Sequence, residues 1–228
     1  MVLSKALAKS ANYDDRHSLG STLRARRIRP LMDMIDAAYR DHGSVNIIDV
    51  GGRDSYWNVV PEEFLAERKV SITIVNLPED MSRDHGRFRF VRGDACDLAF
   101  LTDHSFHIAH ANSVVEHVGD WSRMVLFAKE ISRLSPRIFV QTPNYWFPLE
   151  PHCMTPFFHW LPEPMRVWLV SHFQLGHWPR AASVDEAVRA VESARLLNRR
   201  MLQELFKDAQ IVTERFLGWP KSFTAVKM

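Results

Sequence analysis

Short apolar runs recur along the chain at 45–50 (VNIIDV), 71–77 (SITIVNL), 87–93 (RFRFVRG), 106–112 (FHIAHAN) and 137–143 (RIFVQTP). Their lengths and their Val, Ile and Phe content predict strands. Between the last two, residues 120–135 (DWSRMVLFAKEISRLS) place Met124, Phe127, Ile131 and Leu134 on one helical face. A helix is also predicted over 22–41, where Leu31, Ile35 and Ala38 recur at helical spacing and HG supplies a stop. Strands alternating with helices imply right-handed crossovers and a largely parallel sheet covered on both faces.

The last third loses this regularity. Residues 144–178 are dense in aromatics, histidine and proline, and Pro148, Pro151, Pro156, Pro162 and Pro164 forbid one continuous helix. Short pieces joined by fixed bends are expected there, burying Trp146, Phe147 and Phe158 and leaving Trp160 or Trp168 outward. A polar helix in two pieces follows over 183–209. The tail QIVTERFLGWPKSFTAVKM reads as two strands around a GWPKS turn, so the sheet ends in an antiparallel hairpin. The chain of 228 residues is thus one α/β domain. It divides into a basic arm and helix at 1–43 and the sheet domain at 44–228, with an aromatic insertion at 144–182.

Charge adds one asymmetry. A net charge of +2 is too small to point to nucleic acid, yet residues 1–30 hold Lys5, Lys9, Arg16, Arg24, Arg26, Arg27 and Arg29 against Asp14 and Asp15. That arm either meets an anionic surface or is simply solvated. Cys96 and Cys153 match no metal or redox spacing. With no signal-peptide pattern and no window of about 18 apolar residues, a cytoplasmic protein of unknown oligomeric state is expected.

The chemistry concentrates where the first strand runs into glycine, NIIDVGGRDSYW (46–57). A phosphate loop needs G-x-x-x-x-G-K-S/T, and a dinucleotide turn needs a third glycine; both are missing. The remaining reading is a nucleoside site without a phosphate. Gly51 and Gly52 let the backbone close on the ligand, and Asp49 ties down the loop. Later strand ends supply the other contacts: Asn76 for ribose hydroxyls, Asp94 in GDACDL for an adenine amino group, and Asn112 at the start of NSVVEHV.

Through IIDVGG, VRGDACDLAF and NSVVEHV, and more narrowly through QTPNYWFPLEPH and the terminal hairpin, the chain resembles class I S-adenosylmethionine-dependent methyltransferases. The nearest pattern is that of small bacterial proteins of the methyltransferase type 11 kind. The resemblance implies a Rossmann-like seven-stranded methyltransferase sheet, mostly parallel with a reversed last strand. It implies S-adenosyl-L-methionine as cofactor and S-adenosyl-L-homocysteine as product. The cofactor would be held by Asp49, Gly51, Gly52, Asn76, Leu77, Asp94, Ala95 and Asn112. Two departures stand out: the glycine turn is shortened, and Asn76 occupies a position where an acid is usual.

An oxygen acceptor needs a nearby base. His152, with Glu150 in FPLEPH, is the first candidate, and His117 beside the cofactor is the second; Glu116 reads as a loop-ordering carboxylate. His117 can equally be structural, and His152 can equally sit solvated in a lid. No metal motif is present. The aromatic stretch fits a lid over an apolar or sugar-bearing acceptor, an interfacial element for a lipid-linked one, or core packing. The expected reaction is O-methylation of a small-molecule, sugar or glycolipid hydroxyl, with N- or S-methylation as the alternative. The (N/D)-P-P-(Y/F) motif of DNA amino-methylating enzymes is absent from the fourth strand end, which with the charge argues against nucleic acid. A catalytically silent binding subunit would also explain the altered glycine turn.

Overall fold

The computed structural model describes residues 19–228. Of the basic arm, Lys5, Lys9 and Arg16 lie outside the described residues, whereas Arg24, Arg26, Arg27 and Arg29 fall in the first helix. Helix α1 (Leu19–His42) leads in. It ends at Gly43, whose φ of 71° is a left-handed cap and whose N–H donates to the Tyr39 carbonyl. Strand β1 (Val45–Val50), a 3₁₀ turn over Asp54–Val59, α2 (Glu62–Glu67), β2 (Val70–Asn76) and β3 (Phe88–Arg92) follow. Next come β4 (Ile108–Asn112), α3 (Trp121–Leu134) and β5 (Ile138–Pro143). The insertion holds a small ribbon, β6 (Leu149–Glu150) with β7 (Thr155–Pro156), and helix α4 (Glu163–His172). The chain closes with α5 (Val184–Glu192), α6 (Arg199–Leu205), β8 (Gln210–Phe216) and β9 (Trp219–Lys227).

The seven-stranded sheet has the order β3-β2-β1-β4-β5-β9-β8. Every pair from β3 to β5 is parallel, while β9 runs antiparallel to both β5 and β8. This is the Rossmann-like methyltransferase sheet that the sequence implies, with the reversal produced by the terminal hairpin. Helix α3 presents Met124, Phe127, Ile131 and Leu134, all fully buried, to one face of the sheet. Leu31, Ile35 and Ala38 of α1 cover the other, with Trp57 and Leu65. Asp120 caps α3 by accepting from the Arg123 N–H. The split helix at 183–209 is found as α5 and α6.

The final hairpin departs from expectation. Its turn is Leu217–Gly218, with φ of 49° and 84°, and the rest of the GWPKS read as a turn, Trp219 to Ser222, already belongs to β9. Two adjacent left-handed residues give the twist a two-residue hairpin needs; Leu217 is an unusual choice there, and it is 86% exposed. No helix among the described residues is long and apolar enough to cross a membrane.

Candidate functional site

The glycine turn is built around a buried carboxylate. Asp49 is wholly buried, accepts from the Trp57 indole N–H at 2.9 Å, and pairs with His110 Nδ1 at 2.6 Å. Its role therefore differs from the one expected: the carboxylate is held by side chains of the 3₁₀ turn and β4, and the loop wraps over it. A side chain at Gly52 would collide with this carboxylate at 1.9 Å, and one at Gly51 would meet Val114 at 2.8 Å. Gly51 also has a φ of 70°. Both glycines are therefore demanded locally.

Asn76, at the end of β2, donates its amide to the Gly52 carbonyl at 3.0 Å. An acid there could not donate and would repel that carbonyl, so the amide belongs with the shortened turn. The Asn76 oxygen is left to accept from a hydroxyl. Beyond it Leu77 is 46% exposed, an apolar surface at a strand end. Asp94 is more heavily committed than the sequence suggested. It takes a two-pronged bond from Arg123 at 2.8 and 2.7 Å, and its Oδ1 also accepts from the Cys96 N–H. One acceptor position on Oδ2 remains for an amino group. Burial raises the Asp94 pKa, but the Cys96 amide and Arg123 outweigh it and hold the group below its usual value. Ala95, between Asp94 and Cys96, is half-buried.

Strands β1 and β4 pair in parallel with Asp49 opposite His110, which brings Asn112 level with Gly51. The side-chain oxygen of Asn112 is buried without a hydrogen-bond partner. Such an atom costs about 1–3 kcal/mol unless a donor meets it. Of the residues assigned to the cofactor, Asn112 keeps an unpartnered oxygen and Asp94 one acceptor position, while Asp49 is taken up by Trp57 and His110.

The candidate bases come together. Glu150 accepts from His152 Nδ1 at 2.6 Å and from the Cys153 N–H at 2.7 Å. His117 Nδ1 lies 2.7 Å from the Ser193 carbonyl, and a carbonyl only accepts, so that nitrogen carries a proton. The two Nε2 atoms then face each other at 3.1 Å. Burial opposes charge on His152, but the hydrogen bond and negative charge of Glu150, with Glu116, raise its pKa. Burial lowers that of His117. Beneath them Glu116 is buried and accepts from Thr142, and desolvation pushes it up to about 7. His117 is thus both structural, through Ser193, and a direct neighbour of His152.

Beside this cluster lies a cavity of about 690 Å³ whose walls include Asp120, Tyr145, Glu150, His159, Arg166 and Arg195. Two wall residues keep unpartnered buried nitrogens, Arg166 Nε and His159 Nδ1. His159 Nε2 faces the Tyr145 carbonyl, so its Nδ1 is an acceptor, whereas Arg166 Nε is a donor. The insertion has its own small core of Cys153, Phe158, Val170, Ala181, Ala187 and Val191. Trp160 and Trp168 face outward as expected, but Trp146 does not pack over the site; it is 60% exposed and lies near Trp160. Both cysteines are buried, and desolvation pushes their thiols up to about 11 and about 12.

Trp57, His110 and Arg123 were not singled out by sequence reasoning. The indole following the glycine turn was the one available signal; the other two act across 61 and 29 residues.

No protein-family model matches the chain, and no curated protein matches it. Among solved structures it is similar to an O-methyltransferase family protein from Burkholderia thailandensis. The identity is 14% over 89% of this chain and 57% of that one, with a TM-score of 0.49. A structure of PigF with SAH is 13% identical over 90% and 56% of the two chains, with a TM-score of 0.46. A SAM dependent methyltransferase from Archaeoglobus fulgidus is 16% identical over 86% and 94%, with a TM-score of 0.49. The chain spans little more than half the length of the first two.

Proposed function

We propose that this chain is an S-adenosylmethionine-dependent methyltransferase acting on a hydroxyl of a small polar acceptor, such as a sugar or the sugar of a glycolipid. The observation that carries the reading is the buried, unpartnered oxygen of Asn112, level with the Gly51–Gly52 turn at the carboxyl edge of the parallel sheet. An ammonium group is a natural donor to it, and S-adenosylmethionine carries one on its amino-acid tail. The Asn76 oxygen accepts from ribose, and Leu77 offers an apolar face to a base. When bound, the cofactor supplies an activated methyl group on a sulfonium centre.

The chain's own residues position the acceptor. The cavity beside Glu150 has Arg166 and His159 among its walls, polar groups able to hydrogen-bond a polar acceptor. The acceptor oxygen forms its bond to the methyl carbon as the carbon–sulfur bond breaks. The hydroxyl proton leaves toward the Glu150–His152–His117 cluster. The test is incubation with S-adenosylmethionine labelled in its methyl group and a panel of sugars, glycolipids, amines and thiols. An O-methyl ether is the expected product; label transferred only to amines or thiols would overturn the choice of acceptor.

A further inference from the structure

Three donor groups that no sequence motif links meet next to Glu150, a wall residue of the cavity. One ligand atom from each of Glu116, His117 and His152 lies within 4.8 Å of the other two. Both histidines use Nδ1 elsewhere, His117 on the Ser193 carbonyl and His152 on the Glu150 carboxylate. Two imidazoles each protonated at Nδ1 present bare lone pairs at Nε2, and here those lone pairs oppose each other at 3.1 Å. That approach is repulsive unless a cation or proton lies between them. The distance is also the one two nitrogens adopt on a single ion: metal–nitrogen bonds of about 2.0–2.1 Å at tetrahedral or octahedral angles separate them by roughly 3.0–3.4 Å.

Two further features point the same way. Glu116 is 1% exposed, and its Oε1 has no hydrogen-bond partner while Oε2 is held by Thr142. The Nδ1 contacts to a carbonyl and a carboxylate are the outer contacts that metal-binding histidines characteristically make, fixing tautomer and ring orientation. We propose that Glu116, His117 and His152 bind one divalent first-row transition ion of the zinc type, leaving further coordination positions unfilled by protein. Two imidazoles and a carboxylate suit such an ion better than magnesium or calcium. His117 is exposed and His152 half-buried, so the ion has a path in.

Ion binding rests on the geometry alone; its use rests on the methyltransferase reading. An ion here takes the place of the proton between the two rings. It would lower the pKa of an acceptor hydroxyl bound to it; with both Nε2 lone pairs on the ion, the hydroxyl proton passes to solvent instead of to the histidines before the oxygen attacks the methyl carbon.

The experiment is titration of the chelator-treated full chain with Co²⁺, followed by visible absorption, and then with Zn²⁺ in competition. One equivalent should bind, with a spectrum showing nitrogen ligation. His117→Ala and His152→Ala should abolish the signal, and Glu116→Gln should weaken binding at least about tenfold. Glu150→Gln, which alters only an outer contact, should cost roughly 10–100-fold in affinity. Circular dichroism confirms that each variant is folded. No stoichiometric binding, or binding that survives His117→Ala and His152→Ala together, would overturn the proposal. S-adenosylhomocysteine affinity measured on the same metal-free protein separates the two ideas. Metal binding without nucleoside binding would leave the site standing and remove the methyltransferase reading.

Discussion

The Asp49 carboxylate occupies the space a side chain at Gly52 would need: an added Cβ would lie 1.9 Å from Oδ2. The glycine turn is therefore shaped from below as well as by whatever it binds. Gly52→Ala should force Asp49 off Trp57 and His110, stranding a buried charge at a cost of about 3–5 kcal/mol. Trp57→Phe, which removes one neutral donor to the same carboxylate, should cost about 1–3 kcal/mol. Urea unfolding measures both, and a loss below about 1 kcal/mol for Gly52→Ala would mean that the turn relaxes freely.

Asn76 donates to the Gly52 carbonyl, so an acid at this position should harm the turn. Asn76→Asp is expected to weaken S-adenosylhomocysteine binding about tenfold while leaving the melting temperature within a few degrees. Tighter binding would show that the ribose contact dominates and that the amide has no role in holding the turn.

These contrasts mark what was legible in the sequence. The strands and α3 followed from local periodicity, because a residue's face is set by its own neighbours. The order and reversal of the sheet came with the resemblance. Asp49 was visible as a site residue, but its partner His110 lies 61 positions away inside an apolar strand and looked like any other histidine. The Glu116–His117–His152 convergence was equally hidden, since 35 positions, with α3, β5 and β6 among them, separate the two histidines. Trp146 was expected to be buried over the site as part of an aromatic lid. Phe158 and Val170, however, fill the insertion's small interior and leave Trp146 beside Trp160 at the surface.

Glu130 provides a pH-dependent test away from the site. Its hydrogen bond to Arg133, with the Leu98 N–H, holds its pKa below the ordinary 4.5 despite partial burial. A depressed carboxylate stabilises the fold above its unfolded pKa and loses that contribution as pH falls through its folded pKa. Glu130→Gln should therefore be less stable than wild type by about 1–3 kcal/mol near pH 7. The gap should close as pH falls through the lowered folded pKa of Glu130. A gap independent of pH would mean that shape, not charge, holds the 97–103 loop to α3.

The outward aromatics Trp146, Phe157 and Trp160 lie together, with ring separations of 6.5 and 5.2 Å through Trp160. If the acceptor is lipid-linked, anionic vesicles should blue-shift the tryptophan emission, and salt should reduce the shift by screening the basic residues at 1–30. Unchanged emission would favour a free small-molecule acceptor.

The most direct test of the account is calorimetric titration of the full chain with S-adenosylhomocysteine. One site of roughly micromolar affinity is expected, weakened about tenfold or more by Asn112→Ala, which removes the unpartnered oxygen (about 1–3 kcal/mol). Absence of binding by wild type, or tight NAD binding in its place, would contradict the central claim.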